Sequence, residues 1–204
     1  MGDLRRKLSY REWVLRDREC LIPVCSQQRG KRVLDIKEFA GQVVAAMSST
    51  LAVTLAFLIG LFGGLRALTP PAVTAWAARL GWLKLSSPLT WLGSLPAVIL
   101  FTLLALAELV SDKLPKTPRR TAPPGLIARV VLGGLCGGAV YLAAAHQGLL
   151  IGVLVGAVGG IVGCFGGYQI RIRLVKALGS PDYVVAVVED LVAIGGSLWV
   201  VSRF

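Results

Sequence analysis

Charged residues are absent from long stretches of this 204-residue chain, and their absence excludes an ordinary soluble domain. No Asp, Glu, Lys or Arg occurs in residues 47–65, 85–107, 130–170 or 191–202. Hydrophobic residues make up 55% of the chain even without its 24 glycines, whereas a soluble domain reaches about 45–50% with glycine included. Because ~20 apolar residues are needed to cross a bilayer, we expect an all-α integral membrane protein.

Residues that support chemistry are also scarce. The four cysteines are Cys20, Cys25, Cys136 and Cys164, and the single histidine is His146. The first two cysteines have no second ligand pair nearby and the other two fall in predicted spans, so neither a zinc site nor a disulfide framework is expected. Paired-histidine, phosphate-loop and serine–histidine motifs are missing. We therefore expect no catalytic residue, no metal site, no cofactor and no enzymatic activity.

Residues 1–46 differ from the rest of the chain, because they hold 10 Lys and Arg and 6 Asp and Glu. A cleavable signal peptide is not expected, since the first apolar run begins too late. We interpret this segment either as a basic arm on the cytoplasmic membrane surface or as an untranslated extension, with translation starting at Met47. The membrane domain is residues 47–204 in both cases.

The apolar runs predict five membrane-spanning helices. These cover about residues 49–66, 90–111, 126–146, 148–170 and 183–203. Residues 71–83 are too short to span, and Pro70-Pro71 suits the start of a helix. With Trp82 and Trp91 nearby, we expect this segment to lie in the outer interface, and a re-entrant helix is the alternative.

Basic residues determine the expected topology. The loop 112–125 contains four prolines and four Lys or Arg, and Arg171, Arg173 and Lys176 follow the fourth span. The positive-inside rule places both regions in the cytoplasm and the uncharged turn at Gln147-Gly148 outside. Five crossings then give an inside N-terminus and an outside C-terminus in a bacterial inner membrane. The net charge of +11 indicates contact with anionic lipid headgroups and not with nucleic acid, for which no motif is present.

Seven glycines form two ladders with a spacing of four. They are Gly148, Gly152, Gly156 and Gly160, and then Gly159, Gly163 and Gly167. Each would weaken a helix in water by about 1 kcal/mol, but in a bilayer small residues let another helix approach closely. We expect helix-packing residues here. The neighbour is another span of this chain, a partner helix, or a second copy of the chain in a homo-oligomer.

A short glycine-rich phrase occurs twice. Gly60-Leu61-Phe62-Gly63-Gly64 closes the first predicted span, and Gly163-Cys164-Phe165-Gly166-Gly167 lies late in the fourth. Each phrase is followed by an arginine and then by a span that contains glutamate. Because the two units are expected to cross the membrane in opposite directions, the pattern indicates a weak inverted repeat of the transporter type, or chance in a glycine-rich chain.

Ionisable side chains within spans are costly, and they are therefore candidates for function. Glu189 and Asp190 lie about seven residues into the last span, at a depth of ~10 Å. We expect them either to bind a proton or cation or to form structural pairs with Arg171 or Arg129. The candidate ion or substrate pathway consists of Arg66, Glu108, Asp112, Arg171, Glu189 and Asp190.

Each of the other candidates also has a simpler interpretation. Glu108 and Asp112 share a helix face because they are four residues apart, and an ordinary interfacial charge cluster is the alternative. Arg66 is expected to bind an anion or to extend to the headgroups. Arg171 belongs to a basic cluster that either determines topology or binds an anionic headgroup.

Three segments together resemble a bacterial integral membrane family, the domain of unknown function 4126. They are Gly64–Leu83 (GLRALTPPAVTAWAARLGWL), Glu108–Pro118 (ELVSDKLPKTP) and Gly166–Asp190. A histidine often follows Gly-Gly-Tyr in the family pattern, whereas Gln169 stands there in this chain. The resemblance covers about residues 50–203, and it implies membrane location and helical architecture but no mechanism.

Two functions remain open at this point. The charges beside tightly packed helices favour a small transporter, channel or lipid translocator, with arginines meeting an anionic group and carboxylates handling protons or cations. The alternative is a non-transporting assembly or scaffold protein, whose glycine ladders bind a partner helix.

Overall fold

The computed structural model describes residues 48–111, 123–178 and 182–204, and those residues form helices without any strand. The α-helices of this part of the chain are α1 (Ser48–Leu65), α2 (Thr69–Arg79), α3 (Leu95–Ser111), α4 (Pro123–Ala145), α5 (Leu149–Leu178) and α6 (Asp182–Val201). A short 3-10 helix at Thr90–Gly93 precedes α3. Residues 1–46 and Asp112 lie outside the described residues, as do the predictions made for them.

Helices α1, α4, α5 and α6 are long and apolar enough to cross a membrane. With the all-helical fold, they confirm the predicted class of all-α membrane protein. α3 is apolar but has only 17 residues, because the 3-10 helix occupies the start of the predicted span 90–111. Pro96 lies in the first turn of α3, where its missing N–H removes no helical hydrogen bond. α5 is longer than expected and continues past residue 170 to Leu178.

The segment after α1 forms a helix inside the bundle. α1 ends at Leu65, the chain turns over three residues, and α2 begins with two prolines in its first turn. α2 then packs against α3, α4 and α6. Most of its residues are buried, namely Thr69, Pro70, Pro71, Ala72, Thr74, Ala75 and Ala77. This packing agrees with the re-entrant alternative for residues 71–83 and not with a helix lying on the membrane surface.

α1 and α4 are antiparallel neighbours. Near the start of α1, Ala52 packs with Tyr141, which lies close to the end of α4. Near the end of α1, Gly63 faces Gly133 in the first half of α4. The start of α1 therefore lies at the same end of the bundle as the turn that joins α4 to α5.

α6 also runs opposite to α1, because Val200 at its end packs with Leu55 near the start of α1. The described region thus begins at Ser48 and ends at Phe204 on one side of the bundle. The predicted placement of the N-terminus inside and the C-terminus outside stays a prediction, because residues 1–47 lie outside the described residues. Ser48 and Phe204 share one side because α2 carries the chain back antiparallel to α1.

The other side of the bundle is where α3 and α5 end and α4 and α6 begin. Arg171, Arg173 and Lys176 lie there, in the last turns of α5. We call this side the basic end, and we call the side with the turn between α4 and α5 the opposite end.

α5 contacts α4 and α1 through different glycines. A Cβ on Gly156 would lie 2.8 Å from the Cα of Gly137 in α4, and a Cβ on Gly163 would lie 3.0 Å from the Cα of Gly64 in α1. Gly152 and Gly160 likewise face α4, and Gly159 faces α1. The backbones approach so closely that side chains are excluded. These glycines therefore pack against other helices of the same chain.

Two ladder residues have other surroundings. Gly148 precedes α5 and has φ +82°, a left-handed conformation that glycine adopts without the penalty of a Cβ. It shapes the turn between α4 and α5 and is not part of a helix face. Gly167 lies against the side chain of Leu65 and not against the backbone of another helix.

The two glycine-rich phrases lie on parallel helices. Gly60 faces Gly156 and Gly64 faces Gly160, so α1 and α5 run in the same direction. The opposite directions expected for an inverted repeat are therefore wrong for these two helices. The similarity of the phrases has a packing reason, because close approach of two backbones needs small residues at matching levels on both.

Adding one methyl group tests the α4–α5 contact. We expect Gly156→Ala to lower the free energy of unfolding by about 1–3 kcal/mol, because the new Cβ overlaps the backbone of α4. Gly166→Ala is the matched control, since a Cβ there has nothing within 4 Å, and it should be neutral or slightly stabilising. Unfolding in detergent, followed by circular dichroism, measures both, and equal stabilities would contradict the packing described.

Candidate functional site

Charged side chains from the α1–α2 turn, α3, α5 and α6 lie near the basic end. Arg66 follows α1, Glu108 is near the end of α3, and Glu189 and Asp190 are in α6. Arg171 in α5 completes the cluster. The sequence predicted all five as candidates, and the structure divides them into a buried group and a partly exposed pair.

Arg66 is the centre of the buried group, and only 1% of it is exposed. Its Nε donates a hydrogen bond to Oδ1 of Asp190 at 2.5 Å, and its Nη2 contacts the same oxygen. Its Nη1 donates to the backbone carbonyl of Glu108 at 3.5 Å. Arg66 therefore does not extend to the headgroups, because its guanidinium is held between α3 and α6.

Glu108 accepts hydrogen bonds from the turn that connects α1 to α2. The backbone N–H groups of Ala67 and Leu68 donate to its two carboxylate oxygens, each at 2.9 Å. Leu68 is the N-cap of α2 and offers no side chain that could accept a hydrogen bond. A carboxylate at a helix N-terminus is stabilised by the free N–H groups and by the helix dipole, so Glu108 provides the cap from another helix.

Asp190 lies eight residues after the start of α6 at Asp182, which is ~12 Å along the helix. It is buried and paired with Arg66. The structural alternative from the sequence had named Arg171 and Arg129 as partners for the two acids of α6. Arg129 is buried in α4, and its Nη1 donates to the carbonyl of Gly125 at 3.2 Å.

Arg171 and Glu189 form the second ion pair, with Nη1 3.5 Å from Oε2. The Arg171 side chain is 18% exposed and that of Glu189 is 9% exposed. This pair borders a cavity of about 170 Å³. The cavity, which we call the α5–α6 cleft, is lined by Leu65, Gly167, Ile170, Arg171, Leu174, Val185, Val188, Glu189 and Val192.

The cleft was not predicted from the sequence, although the spacing of its lining residues is visible there. Its lining residues on α5 are Gly167, Ile170, Arg171 and Leu174, and those on α6 are Val185, Val188, Glu189 and Val192. Both sets have the three- and four-residue spacing of a single helix face. Gly167 also contributes space, because it presents no side chain to Leu65 and Glu189.

Metal-ligating side chains do not gather in the parts of the chain that the structure describes. No group of three or more His, Cys, Asp or Glu lies together in residues 48–111, 123–178 and 182–204. Cys136 and Cys164 are both buried, and neither forms a disulfide. The chemistry available at the site is therefore that of guanidinium groups and carboxylates against an apolar wall.

The family model of the domain of unknown function DUF4126 matches residues 53–202. The chain belongs to this family. Comparison with curated proteins and with solved structures gives no match. The matched region of this DUF4126 chain contains both ion pairs, the cap at Glu108 and every residue that lines the cleft, so the family region and the candidate site coincide.

The two ion pairs of the DUF4126 domain should differ in their contribution to stability. We expect Asp190→Asn to lower the free energy of unfolding by about 3–5 kcal/mol, because it leaves the buried charge of Arg66 without its partner. The neighbouring change Glu189→Gln is the control and should cost less, since the side chain of Arg171 is 18% exposed whereas that of Arg66 is 1% exposed. Titration with a denaturing detergent measures both variants.

A double variant separates loss of pairing from loss of packing. Replacing both buried charges, in Arg66→Met with Asp190→Leu, should recover much of the stability, because no uncompensated charge remains. A cost for Asp190→Asn no greater than that for Glu189→Gln would contradict the division of the cluster into a buried and an accessible pair.

Proposed function

We propose that this multi-pass membrane protein is a small carrier of an anionic substrate, and that the Arg171–Glu189 pair is its exchangeable element. The observation that carries the proposal is the position of this pair beside a cleft, together with the exposure of the Arg171 side chain, which is 18% against 1% for Arg66. Ionisable groups inside spans mark substrate and ion pathways in many membrane proteins.

Exchange of partners gives a simple coupling scheme. An incoming anion binds the guanidinium of Arg171 and displaces the carboxylate of Glu189. The apolar side chains around the cleft disfavour the charged form of Glu189 once the Arg171 guanidinium binds the anion, so Glu189 takes up a proton as Arg171 changes partner. Release of the anion reverses both steps, and one proton accompanies each anion. Arg66, Asp190 and Glu108 hold α1, α2, α3 and α6 in register around this exchange.

The assembly hypothesis has less support from the described residues. Its main argument was the glycine ladders, and five of those glycines already contact α1 or α4 within the chain. A partner helix that used the same face would have to displace α4 or α1. The carrier proposal needs no such displacement.

Flux across vesicles tests the carrier proposal. With purified protein in liposomes, we expect Arg171→Gln and Glu189→Gln each to reduce anion-dependent proton uptake by roughly tenfold or more, as expected when a charge-assisted hydrogen bond is lost. Arg173→Gln is the matched control, because Arg173 is exposed and does not line the cleft. A pH-sensitive dye inside the vesicles reports uptake while small anions and lipid phosphates are scanned.

Two results would count against the carrier. One is wild-type uptake no faster than in protein-free vesicles for every anion tested. The other is an equal loss of uptake in Arg171→Gln and in the Arg173→Gln control, which would indicate a general effect of surface charge.

We also propose that the basic end faces the cytoplasm of a bacterium, with anionic headgroups against its Lys and Arg side chains. Among residues 47–204, the loop 112–122 and the end of α5 together carry seven of the twelve Lys and Arg. The positive-inside rule favours the cytoplasmic side for such clusters. Ser48 and Phe204, at the opposite end, then face outwards.

Cysteine labelling checks this orientation. In a Cys20→Ser, Cys25→Ser background, the remaining Cys136 and Cys164 are buried. A membrane-impermeant maleimide should label Ser202→Cys on intact cells and should label Lys176→Cys only after the membrane is permeabilised. The reverse pattern would invert the proposed orientation.

A further inference from the structure

The walls of the α5–α6 cleft are apolar except at the Arg171–Glu189 pair. Ile170 and Leu174 on α5 and Val188 on α6 line it, together with the Arg171–Glu189 pair. Ile170 is 59% exposed and Val188 is 51% exposed, so the cleft opens towards the bilayer. α6 touches α5 at few places, whereas α4 packs along α5, and this difference leaves the opening.

The size and lining of the cleft favour an occupant with an apolar part. Its volume of about 170 Å³ is close to that of an apolar protein cavity of ~150 Å³ that binds benzene. A small inorganic anion would lose its hydration in the cleft and would gain polar contacts only at the Arg171–Glu189 pair. A hydrocarbon chain would instead bury its surface against valine, leucine and isoleucine side chains.

Charge complementarity indicates that the polar part of the bound molecule is an anionic group. The planar guanidinium of Arg171 matches the geometry of a phosphate group, and its side chain is 18% exposed at the cleft. Arg173 and Lys176 follow on the next turn towards the basic end and are exposed. Basic side chains near a membrane surface attract anionic lipids, so such a lipid is concentrated where the cleft opens.

We propose that the α5–α6 cleft binds an anionic phospholipid of the surrounding bilayer, with a segment of one acyl chain between α5 and α6 and the phosphate on Arg171. This inference rests on the proposed carrier function, because it names an anionic phospholipid as the substrate of the same site. Lipid entry is lateral, from the bilayer, through the open side formed by Ile170 and Val188.

Photo-crosslinking tests the binding site directly. The full chain is placed in lipid nanodiscs that contain phosphatidylglycerol with a diazirine on one acyl chain, and labelled residues are mapped by mass spectrometry. We expect labels to concentrate on Ile170, Val188 and Val192 in the cleft. Labelling of Ile151 and Leu154 should be much weaker, since these α5 residues are equally lipid-exposed but lie outside the cleft.

Matched variants separate the cleft from general lipid contact. Val188→Trp should fill the cleft and reduce labelling of Ile170 about tenfold, whereas Val187→Trp, whose side chain is also exposed but does not line the cleft, should leave it unchanged. Arg171→Gln should reduce labelling by about tenfold, because a charge-assisted hydrogen bond is lost. Size-exclusion profiles of the exposed valine variants report whether they remain folded.

Three outcomes would overturn the proposal. They are labels spread evenly along α5, equal labelling by zwitterionic phosphatidylcholine, and equal effects of Val188→Trp and Val187→Trp. Selective labelling without any flux in vesicles would overturn the carrier function and still support the lipid site. Flux of small anions without selective labelling would overturn the lipid site alone.

Discussion

The break between α1 and α2 is the constraint on which the rest of the described structure depends. A chain that reverses direction inside a membrane exposes backbone N–H groups that water does not reach, and these groups need internal partners. Glu108 accepts from two of them, and the arginine in the same turn binds Asp190. One short turn thereby connects α1, α2, α3 and α6, and α2 returns into the bundle instead of lying on its surface.

Adjacent residues of a helix point about 100° apart, and this separates the roles of the two acids in α6. Asp190 points to the enclosed guanidinium of Arg66, while Glu189 points to Arg171 and the cleft. The enclosed pair is a structural element, since breaking it would leave a charge away from water. The pair at the cleft is accessible, and for that reason the proposed exchange and the lipid site are both assigned to it.

Much of the architecture could be predicted from local sequence. The charge-free runs located the long helices, and Pro70-Pro71 marked the start of α2. The charged residues that matter were also identified, because an ionisable group is conspicuous in an apolar stretch. The partners of those residues could not be predicted, since Arg66 and Asp190 are 124 positions apart. The cleft was missed because its walls are valine, leucine and isoleucine, which have the same composition as any lipid-facing surface.

The sequence by itself determined that this chain is a helical membrane protein with small residues for close packing, because length, hydropathy and glycine spacing are local properties. Tertiary structure alone decided how those helices are arranged. It placed α1 parallel to α5, returned α2 into the bundle and put Ser48 and Phe204 at one end. The physical reason is that direction and depth follow from which backbones meet and which charges pair, and both depend on contacts between distant parts of the chain.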